Sequence, residues 1–443
     1  MGSRAAGSPA GRAGTARRCR PTAGRLADVR ALTRPGTALA DAVPFAAGGL
    51  AVADPRVGAV LLLVLAGVLV SVCGRLLDAV AGLDADRINP VRRDGPLVQG
   101  RVAPGWATGW AVLAGTAVLG GGWLWAASLP ARIGFVALIG LRAWLALSRG
   151  RSRFGPPLRR PLVAATLAGG LPLGVAATGG EVGVGAGVLT AGFGLAVIVA
   201  GWTVTDLRDL PIDRVCGRRT PALATGVHLR RPRGFVFPRR YVAIVLTAQV
   251  GIVAVVSTVG GLALAAAAAA DAAADVDGAP TLSAAVPRGP AALAPVTPGP
   301  SDGHVCLAGR GLAAAAAVLA ALVATAGLIR LVRSGAPGLD PIRSPRPRGG
   351  GFILANLLAC QLASVAWLLT EPSGLPLWAL LPALGGWAVG LPVRLLAERN
   401  GGGFPSVRAA GTPQLPALPA GSTAAASAPA GARQDDGERP TSR

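Results

Sequence analysis

The chain has 443 residues, of which 52% are hydrophobic and only 14% charged, against about 25% charged in an ordinary soluble domain. That hydrophobicity excludes a mostly disordered protein; the 64 Gly and 37 Pro follow no strict period, which excludes a collagen-like fibre; five Cys exclude a disulfide scaffold. All 43 basic residues are Arg, against 21 acidic ones, so the net charge of +22 fits nucleic-acid binding, a membrane protein with basic loops, or a coding bias toward Arg.

In chain order, residues 1–33 are rich in Arg, Gly, Ala and Ser and hold no apolar run, so they are expected to be a disordered basic tail, not a signal peptide. Ten apolar runs of roughly membrane-spanning length come next, at 36–53, 57–77, 105–127, 131–148, 161–179, 183–205, 241–268, 306–330, 351–370 and 374–396. The first and fifth are short or broken by Gly and Pro. A second disordered tail is expected over 399–443. The expected fold class is all-α, a polytopic membrane helical bundle over residues 34–398, because a soluble core cannot bury so many helices that are apolar all round. The Gly-rich stretch 178–192 lacks a P-loop Lys and a preceding strand, and reads as helix-packing glycine. His228 and His304 have no second ligand nearby in sequence, and no two Cys have CxxC spacing.

The placement of the arginines decides among the three readings of the charge. With a cytoplasmic N-terminus, 39 of the 43 Arg fall on the cytoplasmic side, and only Arg56, Arg132, Arg288 and Arg310 fall outside. This is the asymmetry of the positive-inside rule, and it supports an even number of spans with both termini inside. No basic soluble face exists, so nucleic acid is not an expected partner.

Carboxylates are scarce within the apolar portion, and two clusters stand out. Asp206, Asp209 and Asp213 lie in TDLRDLPIDRVCGRRT at spacings i, i+3 and i+7, which puts them on one helix face. Like charges there repel, and Mg²⁺ would resolve the repulsion by binding a few carboxylates together with phosphate oxygens. Arg218 and Arg219 come just after and suit a phosphate clamp, while Pro211 is expected to interrupt or turn the helix. The plainer reading is a solvated helix end whose Asp residues pair with Arg208 and Arg214. The other cluster, Asp78, Asp84 and Asp86 in LLDAVAGLDADRINPVRRDGPLVQGR, ends the second run, just as Asp206, Asp209 and Asp213 end the sixth. Two acidic helix ends on one side suggest two halves of one cavity, able to hold a diphosphate between metal ions.

These residues resemble the UbiA superfamily of intramembrane prenyltransferases. Residues 86–101, DRINPVRRDGPLVQGR, are similar to the segment just after that family's first aspartate motif. Asp206, Asp209, Asp213, Gly217 and Thr220 fall on its second motif, D-x-x-D-x-x-G-D-x-x-x-G-x-x-T, with Ile212 at the usual Gly. The resemblance covers roughly residues 30–370. It departs in the first motif, where Asp78 stands at the usual Asn, Ala79 at an Asp, Gly82 at the first metal-binding Asp and Gly95 at an Arg. The resemblance implies nine to ten transmembrane helices around a central cavity. It implies transfer of a polyprenyl group from its diphosphate to a small acceptor, usually aromatic, as in the 4-hydroxybenzoate polyprenyltransferases. Mg²⁺ is the implied cofactor, with Asp78, Asp84, Asp86, Asp206, Asp209 and Asp213 as metal ligands and Asp84 replacing the missing carboxylate. Arg92, Arg93, Arg149, Arg218 and Arg219 are implied for the diphosphate, and Asn89 for orienting a carboxylate or the acceptor. Membrane lipid is the expected surrounding, with the active site on the cytoplasmic face of a bacterial plasma membrane. Two other readings stand beside it. A non-catalytic relative with a lipid-binding or scaffold role is supported by Ala79 and Gly82. A transporter is disfavoured, because its charges would lie at the bilayer midplane and not at helix ends.

Overall fold

A backbone in hydrocarbon must satisfy its own N–H and C=O groups, which a helix does within one segment. The computed structural model describes residues 22–52, 55–89, 92–148, 156–215, 217, 220–230, 234–277, 300–335 and 351–368. Its elements are α1 (Thr22–Thr33), α2 (Pro35–Leu50), α3 (Val57–Ala81), α4 (Leu83–Ile88), α5 (Pro104–Trp125), α6 (Leu129–Leu147), α7 (Pro156–Ala168), α8 (Gly170–Ala177) and α9 (Val184–Ala200). A π-helical turn (Gly201–Thr205) then leads into α10 (Asp206–Val215) and α11 (Pro221–Ala224). A short antiparallel hairpin of β1 (His228–Arg230) and β2 (Gly234–Val236) precedes α12 (Arg239–Asp277), α13 (Pro300–Arg333) and α14 (Gly351–Leu368).

Among the described residues, seven helical segments are long and apolar enough to cross a membrane: Val57–Ala81, Pro104–Trp125, Leu129–Leu147, Leu158–Ala177, Val184–Val215, Arg239–Ala266 and Gly311–Arg333. This is fewer than the apolar runs suggest. The run at 36–53 folds as α2, only 16 residues long, and α14 contributes a shorter apolar helix, Ala355–Leu368. The run at 374–396 and the expected tail 399–443 lie outside the described residues. Residues 22–33 of the expected N-terminal tail form α1, and residues 1–21 lie outside the described residues. Arg101 Nε donates to Asp28 Oδ1 at 3.0 Å and Leu32 packs on the α3–α5 core, which together hold that helix.

The helices pack in two groups. The core of α2, α3, α5, α6 and α8 is built on Phe45, Leu63, Val70, Phe135 and Leu173. The core of α9, α10, α12, α13 and α14 is built on Leu189, Phe193, Leu210, Ile252, Leu328 and Ala363. Small residues allow the close crossings that membrane helices use in place of a hydrophobic driving force. A methyl group on Gly174 would meet Phe45 O of α2 at 2.6 Å, and one on Gly192 would meet Val255 of α12 at 2.7 Å. Polar side chains add to this between α12, α13 and α14. Gln249 and Asn356 exchange amide hydrogen bonds of 2.8 Å in both directions, and Gln249 Nε2 donates to Thr325 Oγ1 at 3.2 Å.

Candidate active site

The site lies where two acidic helix ends meet. Asp78 sits in the last turn of α3, and Gly82 ends that helix and starts α4, which carries Asp84 and Asp86. Opposite, α9 passes through the π-helical turn into α10, which carries Asp206, Asp209 and Asp213. Turns of this kind recur at functional sites, where the extra residue re-aims the side chains beyond it. The helix runs through Pro211 and does not turn there. One missing backbone donor is tolerated because Leu207 and Leu210, both buried, fix α10 in the core.

Arginines stitch the two acidic ends together. Arg92, in the loop after α4, donates through Nη2 to Asp209 Oδ2 at 2.5 Å and lies with Nη1 3.4 Å from Asp86 Oδ1. Consecutive residues of α7 do the same a second time: Arg159 Nη2 reaches Asp78 Oδ1 at 2.5 Å, and Arg160 reaches Asp206 Oδ1 at 2.7 Å from Nη2 and 3.1 Å from Nε. Asp78 and Asp86 of one motif and Asp206 and Asp209 of the other therefore belong to one site. Asp206 and Asp209 thus find arginines from distant segments, and Arg208 on the same helix adds its attraction to Asp209, so the local pairing of a solvated helix end is only part of the arrangement.

The remaining expected residues divide. Asp213 is buried on α10, and Asn89 is buried where its carbonyl accepts from the N–H groups of both Arg92 and Arg93, folding the loop back toward the site. Arg93 lies in that loop, half-buried. Asp84 is not brought in: its side chain is 95% exposed and pairs with Arg87 one turn along α4, so it does not replace the lost carboxylate. Arg149, Arg218 and Arg219 lie outside the described residues.

Several residues of the site do not stand out in the sequence. Arg159 and Arg160 sit in an Arg-rich segment that in the sequence counts only toward the cytoplasmic excess of Arg. Arg75 donates to Asp41 Oδ2 at 2.6 Å, with Ser71 sharing that carboxylate. Arg34, between α1 and α2, holds a left-handed backbone at φ 47°, which costs a non-glycine residue about 1 kcal/mol or more. Desolvation, and then the like charges of Arg75, Arg92 and Arg208, lower its guanidinium to about 10, although the residue as a whole stays exposed. At neutral pH it keeps its charge and adds to a basic rim.

The acidic set can be tested against a divalent cation. Among the described residues, no three Asp, Glu, His or Cys side chains close on one point. Mg²⁺ does not need that, because it commonly takes one or two carboxylates and completes its shell with water and phosphate oxygens. Asp86 and Asp209 already share one cation, Arg92, and Asp206 Oδ2 is buried without a hydrogen-bond partner among the described residues. This half fits one Mg²⁺. The first motif does not fit a second, because Ala79 and Gly82 leave it only Asp86, already counted for the first ion, and Asp78, which Arg159 holds.

The sequence model of the UbiA prenyltransferase family matches residues 42–277, more than half of the chain. The chain belongs to that family. UbiA proteins are membrane prenyltransferases, and this member is an integral membrane protein of the same all-α class. Among solved structures it is similar to a UbiA homologue from Archaeoglobus fulgidus bound to DMAPP and Mg²⁺, at 13% identity over 77% of this chain and 99% of that one, with a TM-score of 0.48. A UbiA homologue from Aeropyrum pernix K1 without ligand is similar at 15% identity over 74% and 96%, TM-score 0.48. A structure described for digeranylgeranylglyceryl phosphate synthase is similar at 12% identity over 79% and 99%, TM-score 0.47. No curated protein sequence matches the chain.

Proposed function

We propose that this UbiA-family protein transfers a polyprenyl group from its diphosphate to a small aromatic acceptor of the 4-hydroxybenzoate kind, at the cytoplasmic face of a bacterial plasma membrane. The observation that carries the reading is Arg92, which bridges Asp86 and Asp209 and so joins two separated acidic motifs in one site.

The chemistry stems from charge. As the allylic C–O bond of the donor breaks, negative charge grows on the leaving diphosphate. Preorganised cations in a water-poor site stabilise that charge more than water does. Arg92, Arg93 and the arginines of α7 are placed for this, with Arg149, Arg218 and Arg219 proposed to complete the rim. Mg²⁺, held by Asp86 and Asp209 with Asp206 beside them, would supply further neutralisation when bound. Asp78 and Asp213 orient arginines and the α10 face. The apolar walls of the bundle accept the prenyl chain and keep water from the cationic carbon, which an electron-rich acceptor ring oriented by Asn89 then captures.

The test uses the purified full-length protein in nanodiscs with labelled prenyl diphosphates of several lengths, Mg²⁺ and candidate acceptors. Diphosphate release is expected to depend on Mg²⁺ and to fall by about 100-fold or more in Asp209→Ala, the scale of losing one transition-state charge partner. No release with any donor and acceptor would sink the enzyme reading. Donor binding without turnover would favour the second reading, a non-catalytic lipid-binding relative, to which Ala79 and Gly82 point.

A further inference from the structure

α6 carries a guanidinium inside the helical bundle. Arg142 is only 6% exposed, and its head packs against α3 at Gly74. A methyl group on Gly74 would come within 2.8 Å of both its Nε and Cζ, so the position is open to this charge only because residue 74 has no side chain. Arg142 Nε is buried without a hydrogen-bond partner among the described residues. The carboxylates that attract it, Asp78 and Asp41, hold other arginines: Asp78 is 2.5 Å from Arg159 and Asp41 is 2.6 Å from Arg75. Arg159 Nε is likewise buried and unpartnered among the described residues. Arg75, Arg142 and Arg159 thus crowd around Asp41 and Asp78, with Asp206 also attracting Arg159, and the buried Nε atoms of Arg142 and Arg159 stay without a hydrogen bond among the described residues. A guanidinium so placed in an apolar span is costly, and it is kept where an anion arrives to pair with it. The loss of acid at Ala79 and Gly82 lies on this same half of the site.

We infer that Arg142, together with Arg159, binds the diphosphate of the donor directly and takes the place of a second metal ion at the first-motif half. A forked guanidinium suits phosphate oxygens, and its charge needs no carboxylate ligands to hold it. The inference rests on the prenyl diphosphate donor proposed above. It gives this member a mixed site, with one metal between Asp86 and the α10 carboxylates and guanidinium beside Asp78 on α3.

Calorimetric titration of the full-length protein in nanodiscs with geranyl diphosphate, in EDTA and in Mg²⁺, tests it. The wild type is expected to bind in EDTA. Arg142→Met is expected to weaken that binding about 10-fold or more, the scale of one charge-assisted pair. Gly74→Ala pushes the same guanidinium aside from the opposite helix and is expected to act in the same direction, so one unfolded variant leaves the other to decide. Wild-type binding that vanishes in EDTA, or variants that bind as wild type does, would overturn the inference and leave the donor reading standing. Unchanged diphosphate binding with lost 4-hydroxybenzoate binding would give Arg142 to the acceptor and equally overturn it. No binding by the wild type in either condition would remove the donor reading itself, and this inference with it.

Discussion

The two oxygens of Asp206 have different lives: Oδ1 accepts twice from Arg160, while Oδ2 is buried without a hydrogen bond among the described residues. With its side chain 3% exposed, this carboxylate depends on Arg160 for its charge balance. Arg160→Met should therefore cost about 3–5 kcal/mol, the penalty of stranding a buried charge, and Asp206→Asn added to it should recover most of the loss. Thermal melting in detergent reads both; a single variant as stable as wild type would contradict the buried pairing. Spacing alone makes Asp206, Asp209 and Asp213 legible, since i, i+3, i+7 fixes a face whatever the tertiary fold. It does not reveal Arg159, Arg160 or Arg142. In sequence an arginine that binds a substrate looks the same as one that anchors a loop to head groups, and only packing separates them. Asp84 errs the other way: it is near the motif in sequence, but the short α4 turns it to solvent.

At the scale of elements, apolar length locates most spans, because the bilayer sets a length that the sequence must meet. The run at 161–179, marked in the sequence as short or broken by Gly and Pro, is two helices, α7 and α8, meeting at Gly169; what the sequence does not show is that the start of α7 reaches the acidic ends. The polar contacts among α12, α13 and α14 are also hidden in the sequence, since Gln249 and Asn356 are 107 residues apart and nothing local links them. Interhelical hydrogen bonds in membranes are worth about 0.6–2 kcal/mol. Asn356→Leu strands the Gln249 amide and should lower stability by about 1–3 kcal/mol, with Gln249→Leu partly rescuing it. A melting temperature unchanged in the single variant would show that the pair contributes nothing.

At the scale of the molecule, the described connections between α3 and α10 sort to two ends. The turn after α5 touches the end of α8, with Ala127 N donating to Ala177 O at 3.0 Å and Ser128 Oγ to Ala176 O at 3.0 Å. The loop of Arg92, the start of α7 and α10 gather at the acidic site instead. This division matches the arginine asymmetry of the sequence, where Arg56 and Arg132 are among the few on the sparse side. Membrane-impermeant thiol labelling of single cysteines is expected to reach Gln99→Cys from the cytoplasm and Glu181→Cys from the opposite side. The reverse pattern would invert the proposed orientation.

The π-helical turn at Gly201–Thr205 has a consequence for how this span tolerates change. Each residue of an α-helix advances the direction of its side chain by about 100°. One extra residue wound into a wide turn shifts the phase of everything beyond it by about that angle. The lipid-facing stripe of α9 and the acid-bearing stripe of α10 are thus out of step, though they share one continuous span. Trimming a single residue from 201–205 would bring them back into step and swing Asp206, Asp209 and Asp213 off the cavity together. The length of this stretch therefore positions the carboxylates as much as its residues do, among them Gly201, where a Cβ would come within 3.1 Å of Arg160 Cδ.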